Sequence, residues 1–231
     1  MASEKKVPEH VVIIPDGNRR WARKKGWKPW KGHEVAGEEG NIRSLVKEAQ
    51  SLGIGVLSVW GFSTENWKRE KDEVERILDV VEKAVFTFGK EIEKEKLRFR
   101  HVGRKDRLPE KMVKELERLE KLSKGFDGMM IVLCLDYGGR DEILRAVNKV
   151  LVEGKGLGSE EEFLKFLDTK GLPDPDLIVR TGGEKRFSGF MPYQSVYSEL
   201  YFTDVFFPDF NAEELRRAIE EYSRRQRRFG N

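Results

Sequence analysis

The sequence contains a single cysteine, Cys134, which lies inside the apolar run MMIVLCL. One cysteine excludes an intramolecular disulfide framework and favours a reducing compartment. No window approaches the run of about 18 apolar residues that a membrane-spanning helix needs. The opening stretch MASEKKVPEH also lacks the apolar segment of a secretory signal. We therefore expect a soluble, cytoplasmic protein whose membrane contact, if any, is peripheral.

A strong net charge is absent too, because 44 Lys and Arg are nearly balanced by 41 Asp and Glu, which leaves +3. The basic residues fall in short turns and do not form the extended stripe typical of nucleic-acid binding. We therefore expect no nucleic-acid partner. A chain of 231 residues is long enough for one sizeable α/β core.

Short apolar runs alternate with segments of helical periodicity along the chain. The runs are His10–Ile14, Ile54–Trp60, Leu97–Val102, Met129–Leu135, Asp176–Val179 and Leu200–Phe206. Most are continuously apolar, which is typical of strands buried on both faces. Between them, apolar residues recur at helical spacing over 35–52, 74–88, 112–122, 143–151 and 215–222. This pattern predicts a single α/β domain over residues 1–231, with a mostly parallel central sheet of about six strands flanked by helices.

Ligands of such sheets bind beyond the carboxyl ends of the strands. Four predicted strand ends carry PDGNRRW, GFSTENWKR, DYGGR and RTGGEKRFSGF. Glycines let backbone N–H groups approach phosphate closely, and arginines add forked contacts to its oxygens. The arginines on or near these ends are Arg19, Arg20, Arg69, Arg180 and Arg186. Any single one could be a solvated surface charge, but together they favour binding of two diphosphates.

Asp16 lies among these cations although a carboxylate repels phosphate. A divalent cation removes the conflict, because Mg²⁺ bridges carboxylate and phosphate oxygens. Glu199 is a second candidate carboxylate, and His33 could donate a hydrogen bond to phosphate. The structural alternatives are a turn or helix-capping role for Asp16 and a capping or packing role for His33.

Several aromatic residues crowd the same strand ends, namely Trp21, Trp27, Trp30, Phe62 and Trp67. Beside a phosphate site they favour a wall for an apolar substrate tail, although single aromatics are usually core residues. Stacking on nucleic-acid bases is the rival use. The residues by themselves thus predict a Mg²⁺-dependent enzyme acting on diphosphates with apolar bodies.

The segment PDGNRRWARKKG resembles the cis-prenyltransferases, the family of undecaprenyl diphosphate synthase. Further blocks follow in the family's order: GH at Gly32–His33, FSTENWKR at Phe62–Arg69, DYGGR at Asp136–Arg140, IVRTGGEKRFSGF at Ile178–Phe190, SELYFTDVFFPDF at Ser198–Phe210 and RRFG at Arg227–Gly230. The resemblance implies that isopentenyl diphosphate is condensed onto an allylic diphosphate, farnesyl or geranylgeranyl, with cis double bonds. The implied product is a polyprenyl diphosphate such as undecaprenyl diphosphate, the precursor of a glycosyl carrier lipid. The resemblance also implies a homodimer and peripheral membrane contact during product release.

The resemblance assigns roles to individual residues. Asp16 falls on the family's essential aspartate, which holds Mg²⁺ against the allylic diphosphate. The turn that cradles this diphosphate matches Gly17, Asn18, Arg19 and Arg20, with Trp21, His33 and Arg69 nearby. The loop that closes over the substrates matches Ser63, Thr64, Glu65, Asn66 and Trp67, where Asn66 is the proposed proton-relay position. The isopentenyl diphosphate site matches Arg180, Arg186, Phe187 and Ser188, with Glu199 assisting the metal or this site and the tail Arg228–Gly230 reaching phosphate across the dimer.

The chain departs from the family pattern at several positions. Pro29 replaces an arginine that often helps to bind the allylic diphosphate, and Arg23, Lys28 or Lys31 could substitute for it. Asp136 stands where Asn is common. The segment from Phe88 to Leu97 looks shorter than in bacterial members, which favours an archaeal type.

An apolar tunnel for the growing chain is also expected, with Gly61, Phe86, Phe88 and Leu135 as candidate lining residues. Ordinary core packing is the alternative for these four. Two other functions stay open, a non-catalytic partner subunit of a cis-prenyltransferase complex and an unrelated Mg²⁺-dependent phosphotransferase. The intact PDGNRR segment disfavours the first, and the absence of a Walker-type glycine loop disfavours the second.

Overall fold

The computed structural model describes residues 6–154 and 156–225. Its strands are β1 (His10–Ile14), β2 (Val56–Ser63), β3 (Arg98–Val102), β4 (Met130–Tyr137), β5 (Leu177–Arg180) and β6 (Glu199–Phe202). They form one six-stranded sheet in the order β3-β4-β2-β1-β5-β6, and every neighbouring pair is parallel. The predicted α/β class and parallel sheet are therefore confirmed.

Helices flank this sheet on both faces. They are α1 (Asn18–Lys24), α2 (Lys31–Ala36), α3 (Glu39–Ser51), α4 (Lys71–Lys94), α5 (Glu110–Ser123), α6 (Gly139–Glu153), α7 (Glu160–Leu164) and α8 (Ala212–Arg224). Two short 3-10 helices cover Thr64–Lys68 and Phe207–Asp209. Across residues 6–154 and 156–225, no helix is both long and apolar enough to cross a bilayer.

The neighbouring strands β1 and β5 explain why the apolar runs do not alternate. All residues of β1 and β5 are buried, so both faces of the sheet are covered there. Val11 and Ile13 belong to the apolar cluster on one face, whereas Val12 and Ile14 belong to the cluster on the other. Successive side chains of a strand point to opposite faces, and burying each large apolar one stabilises the fold by about 1.5–3 kcal/mol.

Some predicted boundaries were wrong. The segment 35–52 is two helices, α2 and α3, separated near Gly37, where a Cβ would lie 2.7 Å from the Val80 side chain. The predicted turn after Gly17 is the short helix α1. Strand β6 ends at Phe202, because the chain beyond it bonds to the turn after β5 instead, where the Gly182 N–H donates to the Val205 carbonyl over 2.8 Å.

Candidate active site

The carboxyl ends of β1, β2 and β5 meet at one edge of the sheet. Ile14 pairs with Arg180 in the register of β1 and β5, and Asp16 follows two residues after β1. Asp16, Ser63 and Arg180 line the same cavity. The gathering of these strand ends agrees with the arrangement that the sequence predicts.

Asp16 is held by cations and by backbone. Its Oδ2 accepts a 2.8 Å hydrogen bond from Arg180, and its Oδ1 lies 3.3 Å from an Arg20 nitrogen and 2.6 Å from the Gly17 N–H. Burial alone would raise the pKa of the Asp16 carboxyl. The Arg180 and Gly17 hydrogen bonds and the positive charge of Arg180 and Arg20 outweigh burial, so its pKa lies below the ordinary value. Asp16 is therefore an ionised carboxylate at neutral pH.

Arg180 connects Asp16 to the segment after β5. The Arg180 residue is 4% exposed, and its guanidinium donates to the Ser188 hydroxyl over 2.8 Å and to the Arg186 carbonyl. Arg186 and Ser188 themselves are exposed, and both line the cavity. One buried guanidinium therefore fixes the first carboxylate and the Arg186–Ser188 segment together.

A polar cleft of about 360 Å³ opens beside Asp16. Its lining residues are Pro15, Asp16, Gly17, Asn18, Arg19, Arg20, Arg23, His33 and Arg69. Gly17 precedes α1 with φ 94°, a left-handed conformation that glycine adopts without steric cost. A Cβ at this position would lie 2.3 Å from the Phe206 ring. The cleft therefore combines backbone of an N-terminal turn with a high density of positive charge.

Two acidic residues pair with the arginines of the cleft. Glu73 accepts a 2.9 Å hydrogen bond from Arg69 and lies 3.6 Å from Arg19. Glu184 lies 3.4 Å from Arg20 and accepts a 2.5 Å hydrogen bond from Arg186. Neither Glu73 nor Glu184 was predicted from the sequence as a site residue. Glu73 lies in the first turn of α4 whereas Arg69 precedes that helix, so helical spacing gave no signal for their pairing.

His33 lies in the cleft as a neutral imidazole. Burial, together with the smaller effect of the positive charges of Arg69 and Arg19, lowers the pKa of His33 to about 4. Its Nδ1 lies 3.4 Å from the Asn18 amide nitrogen, whereas its buried Nε2 has no hydrogen-bond partner among the described residues. The Asn18 Oδ1 is also buried and unpartnered there. Such atoms are costly unless a ligand or water satisfies them.

A larger, mainly apolar cavity of about 470 Å³ joins the cleft at Asp16, Asn18, His33 and Arg69. Along one side it follows α4, where it is lined by Ile77, Val80, Val81, Ala84, Val85, Phe88 and Ile92. At 1.5 Å per residue these positions extend over about 22 Å. Of the four candidate lining residues, Gly61 and Phe88 line the cavity, whereas Phe86 and Leu135 do not.

The loop after β2 is closed by its own hydrogen bonds. Asn66 Oδ1 accepts from the Ser63 N–H over 3.0 Å, and the Ser63 side chain bonds back to the Asn66 backbone in a capping box. Glu65 and Asn66 line the apolar cavity, while the Thr64 hydroxyl donates to Glu65 over 3.1 Å. The capping box does not use the side-chain amide nitrogen of Asn66.

Comparison with known proteins now decides the family. Residues 14–230 match the model of the family described as "Putative undecaprenyl diphosphate synthase". The chain belongs to this family. It is 45% identical to an isoprenyl transferase of Thermotoga maritima over 97% of both chains. It is 39% identical to the "tritrans,polycis-undecaprenyl-diphosphate synthase (geranylgeranyl-diphosphate specific)" of Pyrococcus furiosus, over 97% of this chain and 87% of that one.

A solved structure agrees with this assignment. The crystal structure of lavandulyl diphosphate synthase from Lavandula x intermedia, in complex with dimethylallyl diphosphate, superposes with a TM-score of 0.92 at 35% identity. The match covers 97% of this chain and 99% of that one. The chain is thus a prenyltransferase with the fold of the cis-prenyltransferases. Of the two relatives named above, the bacterial one is the more identical, so identity gives no support to the expected archaeal type.

The prediction that five aromatic residues form a wall for the substrate tail is wrong. None of Trp21, Trp27, Trp30, Phe62 and Trp67 lines the cleft or the apolar cavity, whose walls are mostly aliphatic. Trp21 is 7% exposed and packs edge-on against Trp27 at 5.6 Å, and Phe62 packs against Trp67 at 5.1 Å. Phe187 likewise packs against the second apolar cluster and lines neither cavity.

Glu199 does not lie at the edge where Asp16 lies. It begins β6, pairing with Leu177 at the amino end of β5, whereas Asp16 lies beyond the carboxyl end of β1. The three residue steps from Leu177 to Arg180 place these edges about 10 Å apart along the strand direction. Glu199 accepts a 2.9 Å hydrogen bond from Arg225. The expectation that Glu199 shares a metal with Asp16 in one protomer therefore disagrees with this geometry.

Asp136 lies within β4 and bonds to Arg107 and Trp67, and no residue of the DYGGR segment lines the cleft or the apolar cavity. Arg228, expected to reach phosphate across a dimer, lies outside the described residues.

Proposed function

We propose that the chain, as a single domain over residues 1–231, condenses isopentenyl diphosphate onto an allylic diphosphate and builds a polyprenyl diphosphate with cis double bonds. One observation carries this proposal. The ionised Asp16 carboxylate lies where an arginine-rich cleft meets an apolar cavity. A substrate with a diphosphate head and an isoprenoid tail needs this combination of surfaces.

The allylic diphosphate is proposed to bind in the cleft. Arg19, Arg20 and Arg69 would offer guanidinium groups to its oxygens, and the α1 turn at Gly17 would offer backbone N–H groups. The unpartnered Nε2 of the neutral His33 would donate to a phosphate oxygen, because the Asn18 amide nitrogen facing Nδ1 assigns the ring N–H to Nε2. These groups would favour departure of pyrophosphate when the allylic C–O bond breaks, because they stabilise the negative charge that develops on it.

The Asp16 site fits Mg²⁺ held jointly by protein and substrate. Within the described residues there is no cluster of three or more His, Cys, Asp or Glu side chains able to hold a metal ion without substrate. Mg²⁺ commonly binds through one or two carboxylates plus substrate phosphates, and the partly exposed Asp16 carboxylate meets that need. When bound, Mg²⁺ supplies electrostatic stabilisation of the leaving diphosphate.

Isopentenyl diphosphate is proposed to bind beside Arg180, Arg186 and Ser188. There its terminal alkene carbon would form the new bond to the allylic C1, which leaves the positive charge on the neighbouring C3. A proton would then leave C2, the methylene carbon next to C3, and the new double bond would form between C2 and C3. Asn66 lines the same cavity and uses its Oδ1 within the capping box, so its amide nitrogen is the atom available to orient a phosphate. A phosphate oxygen is then the proposed proton acceptor, because the lowered pKa of Asp16 makes that carboxylate a weak base.

The apolar cavity is proposed as the tunnel for the growing chain. Each buried methylene contributes about 0.8 kcal/mol, so a chain along α4 would be held without any polar contact. We propose that the end of this cavity, and not the diphosphate site, limits product length. The proposed primer is farnesyl or geranylgeranyl diphosphate. Competition between the two in one reaction shows which primer the enzyme prefers.

We also propose the homodimer that the family resemblance implies. The α6 helix presents Leu144, Val147 and Leu151 at 61%, 40% and 71% exposure, and Val196 is 73% exposed. Apolar side chains spaced three and four apart form one stripe on a helix, which is typical of a covered surface. Light scattering of the wild type and of Leu151→Glu tests this, because the variant is expected to be monomeric.

A cytoplasmic location with peripheral membrane contact is proposed for product release. Arg23, Lys24, Lys25 and Lys28 are exposed around Trp27, which is itself 47% exposed. Basic side chains near the surface of an anionic bilayer contribute about 1 kcal/mol each, and tryptophan favours the interface. Co-sedimentation with vesicles of anionic lipid, compared with zwitterionic vesicles, tests this contact.

The deciding experiment for the reaction is incorporation of radiolabelled isopentenyl diphosphate by the purified chain alone. A cis-prenyltransferase lengthens the allylic primer in the presence of Mg²⁺. A non-catalytic partner subunit would be inactive by itself, and a phosphotransferase would leave the primer carbon count unchanged. Absence of elongation by the folded, dimeric chain would therefore refute the proposed activity.

A further inference from the structure

Asp136 is a buried carboxylate with three side-chain hydrogen bonds. It is 0% exposed, and it accepts from the Trp67 indole N–H over 2.8 Å and from Arg107 Nε over 2.7 Å, with a second bond from the Arg107 Nη2. Its backbone has φ 48°, a left-handed conformation that Asp and Asn tolerate better than most residues. Because a buried carboxylate is destabilising unless it is paired, the hydrogen bonds from Arg107 and Trp67 are what offset its burial in this position.

Arg107 completes an interlocked group of three side chains. Its guanidinium lies 5.5 Å from the Trp67 ring centroid while it forks onto Asp136. A cation over an indole face is attractive, and a forked pair fixes the orientation of both partners. The indole of Trp67 is therefore held by its N–H, by its face and by edge packing against Phe62.

Trp67 belongs to the same 3-10 helix as Asn66, Thr64–Lys68. Consecutive residues of a 3-10 helix project about 120° apart, so fixing one side chain fixes the direction of the next. Asn66 lines the apolar cavity, whereas Trp67 faces the Asp136 group outside it. The orientation of Asn66 is thus tied to a contact that lies outside both the cleft and the apolar cavity.

We propose that Asp136 and Arg107 are positioning residues for the transfer reaction, acting through Trp67 on Asn66. This inference rests on the proposed role of Asn66 at the reacting centre. Loss of the group would leave the diphosphate cleft around Asp16 intact, because none of the three side chains lines it. The expected signature is a lower kcat with unchanged affinity for pyrophosphate.

Three single variants remove different parts of the group. Trp67→Phe deletes the N–H and keeps a ring against Phe62, and Arg107→Gln removes the fork. Asp136→Asn introduces the residue common in the family, but in this chain it leaves Arg107 without its forked carboxylate partner. We expect each to lower kcat about 10-fold, with less than a twofold change in the dissociation constant of Mg²⁺–pyrophosphate. The matched control is Arg104→Gln, whose side chain pairs with Asp106 and Asp141 nearby. It should keep the wild-type kcat.

Double variants separate positioning from simple loss of stability. If Asp136 acts through Trp67, Asp136→Asn should lower kcat no further in a Trp67→Phe chain, since contacting residues in one network are not additive. It should likewise lower kcat no further in an Asn66→Ala chain. Additive losses, or a loss that follows the melting temperature in all variants including Arg104→Gln, would overturn the inference.

The same variants distinguish failure of the proposed role of Asn66 from failure of the positioning inference. If Asn66→Ala itself keeps the wild-type kcat, the proposed role of Asn66 fails and the positioning inference fails with it. If Asn66→Ala is slow while Asp136→Asn and Arg107→Gln are both folded and fully active, the positioning inference alone fails. Arg107→Gln keeps the test decisive if Asp136→Asn does not fold.

Discussion

Arg180 donates a 2.8 Å hydrogen bond to Asp16 Oδ2, so the carboxylate two residues beyond β1 is paired with the buried arginine that ends β5. This pair joins the two proposed diphosphate sites, because Arg180 also holds Ser188. It also keeps Asp16 ionised, which is the state that a cation needs. The site therefore has its charge arrangement in place within the protein alone.

Asp16→Ala should abolish turnover while the fold persists. The variant removes the proposed cation ligand, and loss of comparable electrostatic groups at other active sites lowers kcat by about 100- to 1,000-fold. Steady-state incorporation of isopentenyl diphosphate over a Mg²⁺ series measures it, with circular dichroism as the check on folding. Asp127→Ala, an exposed carboxylate outside both cavities, is the control. Near-normal rates at saturating Mg²⁺ would contradict the role of Asp16.

Arg23→Gln should weaken binding of the allylic substrate. Arg23 lines the cleft, and among the described residues it has no carboxylate partner, unlike Arg19, Arg20 and Arg69. A charge-assisted hydrogen bond contributes about 1.5–3 kcal/mol, so KM for the allylic diphosphate should rise about 10-fold or more. The KM for isopentenyl diphosphate should not change.

Lys28→Gln serves as the matched control for Arg23→Gln. Lys28 is an exposed cation nearby that does not line the cleft. Equal effects of the two variants would indicate only a general electrostatic attraction. Among the three candidates for the arginine missing at Pro29, the geometry therefore favours Arg23.

Much of the fold was predictable because its signals are local. The continuous apolar run at His10–Ile14 is buried on both faces, and the polar residues that follow lie where parallel strands end. Asp16 and Arg180 could be brought together from this rule alone, although 164 positions separate them. The break between α2 and α3 was missed, because the close approach of Gly37 to Val80 is a tertiary contact.

Side-chain direction was not predictable in the same way. The tryptophans near the first and second strand ends were expected to face the substrate tail, yet Trp21 packs into the protein and Trp67 turns to Asp136. Both tryptophans do lie near strand ends, as predicted. The direction in which each side chain points, however, depends on the rotation of its helix about the helix axis. Glu199 illustrates a related failure, because a carboxylate before an apolar run lies at the opposite edge from one after it.

Ala84→Leu should shorten the product. Ala84 lines the cavity about midway along α4 between Ile77 and Ile92, so a larger side chain there should block the far half. Elongation would stop earlier because overpacking costs about 1–3 kcal/mol. Lys83→Leu places the same side chain on an exposed neighbour and should leave chain length unchanged. Mass spectrometry of the products decides, and an unchanged distribution for Ala84→Leu would argue against this tunnel.

The histidines should report occupancy of the cleft. His10 and His33 both have a pKa lowered to about 4, chiefly by burial. Their folded-state pKa lies below the ordinary 6.5, so stability should be highest above pH 6.5 and fall as the pH drops towards 4. Pyrophosphate should raise the pKa of His33 and leave that of His10 unchanged, because His10 is bonded to Ser58 and Pro173 away from the cleft.

Nuclear magnetic resonance titration of the imidazole signals measures this directly, since the chain has only 3 histidines. Identical behaviour of His10 and His33 on adding pyrophosphate would place the ligand away from His33.

Glu199→Gln should leave the Mg²⁺ dependence of the reaction unchanged. Glu199 lies at the amino end of β6 and accepts from Arg225, just before the C-terminal segment in which the family resemblance places a phosphate-binding arginine. Its loss should therefore act on isopentenyl diphosphate, raising KM about 3- to 10-fold through a weakened Arg225 contact of about 1 kcal/mol. Titration of activity with Mg²⁺ at saturating substrate separates the two roles. A rightward shift of that curve matching the one from Asp16→Asn would restore Glu199 as a metal ligand.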